Sequence, residues 1–253
     1  MRNPVDLVDG PRVARFKIQP LDMEQAQRLL TTVRGDRHEA LYTVALTLGL
    51  RQGEALGLRW QDIDLERGRL HVEHQLQRVD HRLALVPCKT DRSRRELGGT
   101  AFTLAALCAH REGQARMLGA VPGPTSYVFT SRTGTPLEAR NVVRAWKAIL
   151  AKAGLSATVR FHDLRHSAAT LLIAQGVHPR TVMEILGHSQ IATTMNTYGH
   201  VLPRDDERCS VADGRVDRAL RRLRLPAGLW ATGRQADVPM PSRYFETATL
   251  PSK

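Results

Sequence analysis

The chain has 253 residues, 42% of them hydrophobic, which is enough for one large domain or two small ones. Its 37 lysines and arginines against 25 acids leave a net charge of +12, with a pI near 10.5. Such an excess suits a polyanionic partner, nucleic acid first and an anionic membrane surface second, although a ribosome-associated or secreted basic protein could share it.

No apolar run approaches the roughly 20 residues of a membrane-spanning helix, so no membrane association is expected. The opening MRNPVDLVDGPRVARFK holds no apolar signal core. The cysteines, Cys88, Cys108 and Cys209, are scattered and lack metal-ligand spacing, as expected of reduced thiols in a cytoplasmic protein.

Residues 1–19 are basic and broken by proline, and are expected to be a linker. PLDMEQAQRLL opens a helix, with Asp22 as N-cap, Gln25 three residues on, and Ala26, Leu29, Leu30 and Val33 forming one face. HEALYTVALTLGL predicts a more buried helix ending near Gly49. RQGEALGLRW then predicts a short helix carrying Arg51 and Glu54.

From Arg69 to about Leu97 the period shortens. RLHVEHQL and HRLALVP alternate apolar and polar residues, predicting a small antiparallel sheet whose second turn holds CKTDRSRR. On an alternating strand His71 and His74 point to opposite faces, so they are not expected to share a metal.

Residues 100–119 read as a helix, YVFT as a short strand and RTGTP as a turn. LEARNVVRAWKAIL predicts an amphipathic helix with Val142, Val143, Trp146, Ile149 and Leu150 inward, closed by Gly154. Three short helices follow: HDLRHSAATLLIAQ up to Gly176, PRTVMEIL from Pro179 to Gly187, and SQIATTMNTYGHV from Ser189. RVDRALRRLRL (215–225) is expected to be a further helix, and the proline-dotted tail 226–253 to be loosely ordered.

Four stretches carry chemistry. RFHDLRH packs five ionisable side chains ahead of an apolar run. His162 and Arg165, three apart, share a helix face at an N-terminus, where a phosphate is a natural guest. Arg51 has Glu54 one turn on, able to hold its guanidinium. KTDRSRR puts Lys89 on a hairpin tip among Arg92, Arg94 and Arg95. ILGHSQIATTMNTY supplies His188 after a helix-ending glycine and Tyr198 ten residues on. Taken singly, each has an ordinary structural reading: a polar cap, a surface salt bridge, a basic turn, a core tyrosine.

In combination and order, GLRQGEALGLRWQDIDL, KTDRSRR, HDLRHSAATLL and LGHSQIATTMNTYGHV resemble the signatures of the tyrosine recombinase (phage integrase) family, over about residues 20–202. The resemblance implies an α+β catalytic domain, mainly helical, with a small antiparallel sheet. It implies that Arg51, Arg165, His162 and His188 grip a DNA phosphodiester, with Glu54 in support and Arg92, Arg94 and Arg95 on the DNA. It further implies that Lys89 protonates the departing 5′ oxygen and that Tyr198 attacks phosphorus, giving a 3′-phosphotyrosyl enzyme. His162 is also the candidate to manage the tyrosine proton.

No cofactor, metal or ATP is needed in that scheme. The implied partners are double-stranded DNA and three further copies of the chain on two duplexes, in the nucleoid. Asp163 and His166 receive no role beyond support or a solvated surface.

Family members usually carry an N-terminal helical domain that closes around DNA, and here only about 19 residues precede the catalytic region. Residues 203–225 are in the region that often docks on a neighbouring protomer. Two other readings stay open. AATLLIAQGVHPRTVMEILGHS also reads as a helix-turn-helix, so a catalytically inactive DNA-binding relic of an integrase would explain the charge, though not Arg51, Lys89 and Tyr198. A type IB topoisomerase would share the chemistry without exchanging partners.

Overall fold

The computed structural model describes residues 18–90 and 93–187. Of the features expected above, most of the N-terminal linker, Arg92, His188, the helix from Ser189, Tyr198, Cys209, the 203–225 segment and the tail lie outside the described residues. The architecture is α+β. Helices α1 (Met23–Thr32), α2 (Glu39–Leu48) and α3 (Gln52–Gly57) come first. Strands β1 (Ile63–Asp64), β2 (Arg69–Val72), β3 (His74–Val79), β4 (Arg82–Pro87) and β5 (Arg95–Gly98) follow. Helices α4 (Ala101–Leu118), α5 (Ala139–Lys152), α6 (Asp163–Ala174) and α7 (Pro179–Leu186) complete the described chain. Among the described residues no helix is long and apolar enough to cross a membrane.

Local signals set the helix ends. Asp22 accepts from the Gln25 amide while the Gln25 side chain accepts from the Asp22 amide, a reciprocal cap that starts α1. Helix α2 is buried along nearly its whole length, between α6 and α4, which makes it the central helix. It stops where Gly49 adopts φ +61°, a left-handed conformation that glycine takes without a Cβ penalty. Tyr42 of α2 has its ring 5.3 Å from Trp146 and 6.2 Å from Phe161, so one aromatic cluster joins α2, α5 and the entry to α6.

The strands differ from expectation. RLHVEHQL is two strands, broken at Glu73. β2 pairs with β1 and β5 in one antiparallel sheet, while β3 and β4 form a separate hairpin. The hairpin turns through Asp80 and His81, both at positive φ (46° and 63°), which suits a two-residue loop matched to strand twist. The segment carrying Lys89 is therefore not a hairpin tip. It links β4 to β5 across two sheets, because β5 pairs with β2 and not with β4.

His71 and His74 consequently sit on different strands. The first has Nδ1 3.7 Å from Glu96, the second Nδ1 3.4 Å from Arg59 Nη2. YVFT forms isolated bridges, Arg59 with Tyr127 and Thr130 with Pro136, rather than a strand. Its buried Val128 and Phe129 anchor it, and the Gln114 amide of α4 donates to Tyr127 O and Thr130 Oγ1. On α5, Val142, Trp146, Ile149 and Leu150 point inward as expected, but Val143 is 40% exposed. One residue is about 100° of helix turn, enough to carry Val143 off the buried stripe.

Helix α3 lies on β3. A Cβ on Gly57 would come within 2.9 Å of Leu76 N and one on Gly53 within 3.1 Å of Leu76 O. The two glycines, four apart, let helix and strand backbones meet, and this fixes where α3 presents its first turn.

Candidate active site

Arg51 is the N-cap of α3 and Glu54 its third residue. The Glu54 carboxylate reaches back to accept from the Arg51 amide (3.1 Å) and from Arg51 Nη1 (2.5 Å). Glu54 is buried, yet its carboxyl does not titrate high. Burial pushes its pKa up, but Arg95 and then Arg51 outweigh that and hold it below the usual glutamate value. Arg95 Nη2 supplies a charged bond to Glu54 Oε2 at 2.9 Å. Its Nε donates to Ile185 O at 2.7 Å and its Nη1 to Ser93 O at 2.9 Å.

Arg165, 3% exposed on α6, donates from Nη1 to Gly49 O (2.7 Å) and from Nη2 to Leu186 O (2.5 Å). Arg51 Nη2 donates to Gly187 O at 3.4 Å. Three consecutive carbonyls at the end of α7, those of Ile185, Leu186 and Gly187, thus accept from Arg95, Arg165 and Arg51. Unpaired carbonyls and the negative end of the helix dipole make this a natural seat for cations. Arginines from three distant parts of the sequence are gathered by one helix end, and His188 is the next residue. Arg51 is the most open of the three, its side chain 36% exposed.

His162 is exposed at the start of α6, its ring 5.2 Å from that of His166 and perpendicular to it. Desolvation, then the charges of Arg165 and Arg160, lower the His162 pKa. His166 is pushed down to about 4 by desolvation and then by His162. Both rings are neutral near pH 7, so His162 keeps a nitrogen lone pair that can take a proton.

Asp163, which we expected to be at most supportive, is fully buried. It accepts from the Arg160 amide and guanidinium at 2.8 Å each. Its carbonyl accepts from Ser167 Oγ, which in turn accepts from the Leu21 amide, fastening the first turn of α6 to the start of α1. The three-residue spacing Arg160–Asp163 at a helix start was the available signal.

Lys89 is exposed on the β4–β5 link. Cys88 beside it is buried, its thiol pushed up by burial and then by the charge of Glu54, with Arg95, Arg51 and Arg94 acting oppositely. The link therefore runs past the arginine cluster. Thr90 and Ser93 close its turn through their hydroxyls (2.8 Å) and a backbone bond (2.9 Å). Arg94 is exposed. Arg95 departs from the expectation of a DNA-facing residue: its side chain is 7% exposed and each of its three nitrogens donates inside the fold.

Sequence reasoning also missed the outer face of α5. Arg140, Arg144 and Lys147, at helical spacing, are all exposed. Gln52 Nε2 donates to Ala139 O at 3.2 Å, which sets this basic face beside the first turn of α3 and Arg51. Among the described residues no group of three or more His, Cys, Asp or Glu side chains is placed to hold a metal ion.

The profile of the phage integrase family matches residues 19–204. The chain belongs to that family. It is 35% identical over 204 residues to a "Tyrosine recombinase XerC-like" protein of Caldanaerobacter subterraneus, covering 74% of this chain and 52% of the relative. It is 31% identical over 207 residues to the "ICEBs1 integrase" of Bacillus subtilis, covering 80% and 56%. This integrase-family chain therefore spans little more than half the length of those relatives. Its fold matches that of the Tn1549 transposon integrase solved with transposon right end DNA, at TM-score 0.65 and 24% identity over 88% of this chain and 70% of that one. It also matches XerA recombinase, at TM-score 0.59 and 24% identity over 88% and 68%.

Proposed function

We propose that the protein is a site-specific DNA recombinase that cleaves and rejoins strands through a phosphotyrosine bond formed by Tyr198. The observation that carries this reading is the gathering of Arg51 and Arg165 on successive carbonyls at the end of α7, one residue before His188. Planar guanidinium forks match the non-bridging oxygens of a phosphodiester, where charge builds during phosphoryl transfer. Glu54 and the α7 carbonyls hold both forks in place before DNA arrives, so no ordering cost falls on the reaction step.

Tyr198 Oη attacks phosphorus, and its proton passes to His162. A free tyrosine has a pKa near 10, so forming its anion at pH 7 costs about 4 kcal/mol, which a nearby neutral imidazole and a cationic cluster offset. The bond from phosphorus to the 5′ oxygen breaks, and Lys89 delivers a proton to that oxygen, which leaves poorly as an alkoxide. The products are a 3′-phosphotyrosyl enzyme and a free 5′-hydroxyl. The hydroxyl of a partner strand then attacks the phosphotyrosine, and tyrosine leaves. The phosphodiester energy is retained throughout, so no ATP is needed, and the cationic and donor groups around the phosphate leave no need for a metal.

The basic face of α5, with Arg140, Arg144 and Lys147, lies against the duplex beside the scissile phosphate, and Arg92 and Arg94 follow the backbone. Four copies on two duplexes would allow exchange, with residues 203–225 reaching a neighbouring copy. Tyr42 is an unsuitable nucleophile, since it is fully buried and its phenol is held protonated by burial and by Asp36.

The test is covalent capture. The chain is incubated with a randomised pool of duplexes carrying sulfur at the 5′ bridging position, and adducts surviving denaturation are sequenced. We expect an adduct from the wild type and none from Tyr198→Phe, which should still shift DNA on native gels. An adduct from the phenylalanine variant would reassign the nucleophile. Joining of two different duplexes separates a recombinase from a topoisomerase.

A further inference from the structure

We propose that Arg95 is a positioning residue for strand cleavage, which shares the Glu54 carboxylate so that Arg51 keeps positive charge for the phosphate. The inference rests on the function proposed above. Its basis is the set of partners that one buried guanidinium joins. Arg95 takes Glu54 Oε2 on α3, Ile185 O at the end of α7 and Ser93 O on the link that carries Lys89. The partners on α3 and α7 lie 41 and 90 residues away in sequence. A planar fork that spreads its donors over three nitrogens spans these partners, whereas a lysine offers a single nitrogen.

The charge balance gives the residue its purpose. Glu54 holds Arg51 through Nη1 and the backbone amide. A buried carboxylate answering Arg51 alone would cancel the charge that has to meet an anion. With Arg95 on the same carboxylate, two guanidinium charges face one negative charge, and the group keeps a net charge of one. The bond to Ile185 O also holds the helix end on which Arg165 and Arg51 converge. Arg95 itself acts through these partners and not on substrate, since each of its three nitrogens donates to a group inside the fold.

The experiment uses the full chain and a duplex recovered by the covalent capture described above. It compares a normal scissile phosphate with a methylphosphonate, which is neutral and makes no demand on the charge of Arg51. Arg95→Met should slow single-turnover adduct formation on the phosphate by about 10²-fold, the scale of losing one charge-stabilising contact to the reacting oxygens. DNA affinity should change little, and the defect should largely vanish on the methylphosphonate. Adding Glu54→Gln removes the charge that would otherwise cancel Arg51, so the double variant should be faster than Arg95→Met alone, a sign of coupling.

Arg95→Lys, which keeps the charge, should fall between wild type and Arg95→Met. It stands in should the methionine variant fail to give a native circular dichroism spectrum. Equal slowing on both substrates with no recovery in the double variant would make Arg95 a purely structural residue and overturn the inference. So would wild-type rates for Arg95→Met, or an Arg95→Lys defect that is equal on both substrates. A wild-type chain that forms no adduct overturns the proposed function, and this inference with it. An active wild type with indifferent Arg95 variants overturns this inference alone.

Discussion

Replacing Gly49 by alanine tests whether the junction beneath Arg165 is as tight as the geometry requires. Gly49 sits at φ +61°, and a Cβ there would lie 2.5 Å from Leu186 Cδ2 and 3.4 Å from Ala168 Cβ. Leu186 is fully buried, so its side chain has little room to swing aside. Two costs add. An alanine in the left-handed region costs about 1–2 kcal/mol, and overpacking a buried contact costs about 1–3 kcal/mol more.

Gly119, which ends α4 at φ +73°, is the control, because nothing lies within 4 Å of its would-be Cβ. Gly119→Ala should therefore lose only the conformational part. Urea unfolding followed by far-UV circular dichroism would compare the two, with an expected difference of about 1–3 kcal/mol. Leu186→Ala in the Gly49→Ala background should recover part of the loss through coupling. Equal losses from Gly49→Ala and Gly119→Ala would refute the reasoning, since Leu186 would then be moving aside freely. Gly49 O and Leu186 O are both acceptors for Arg165, so Gly49→Ala should also slow adduct formation more than Gly119→Ala does.

Three further outcomes are expected. Lys89→Ala should slow cleavage of a normal phosphodiester by about 10²–10⁴-fold, and sulfur at the 5′ bridging position, which leaves without a proton, should restore most of that rate; equal defects on both substrates would limit Lys89 to positioning DNA. Stability should fall with acid in a defined window. The folded-state pKa of His166 lies near 4, below its ordinary 6.5, so the unfolded chain takes up the proton first as pH falls. Its contribution is thus fully present above pH 6.5 and lost on the way down to about 4. His166→Gln should flatten the melting temperature across that range, and an unchanged slope would remove His166 as a cause. Excess EDTA should leave adduct formation intact, and activity lost on chelation and regained with magnesium would argue for metal-assisted cleavage instead.

What the sequence by itself determined was written within a few residues. The reciprocal cap of Asp22 and Gln25, the stop at Gly49, Pro179 opening α7 and Gly187 closing it are encounters between near neighbours, so spacing alone discloses them. The inward stripe of α5 was legible for the same reason, apart from Val143 at its edge. The order of the four signatures was enough to point to the family.

Tertiary structure decided what depended on distant partners. Arg95 reads as one more cation of a basic turn until Ile185, 90 residues away, and Glu54 take up its donors. The break at Glu73 was hidden because Leu70, Val72 and Leu76 keep one parity across it, and only the pairing of β5 with β2 shows that two sheets are being served. Asp163 reads as a solvated helix-end charge, and its burial becomes visible only when Ser167 and Leu21 close over that turn. A side chain's type and spacing record what it can bond, whereas which of its donors remain for a substrate depends on groups that only folding brings within about 3 Å.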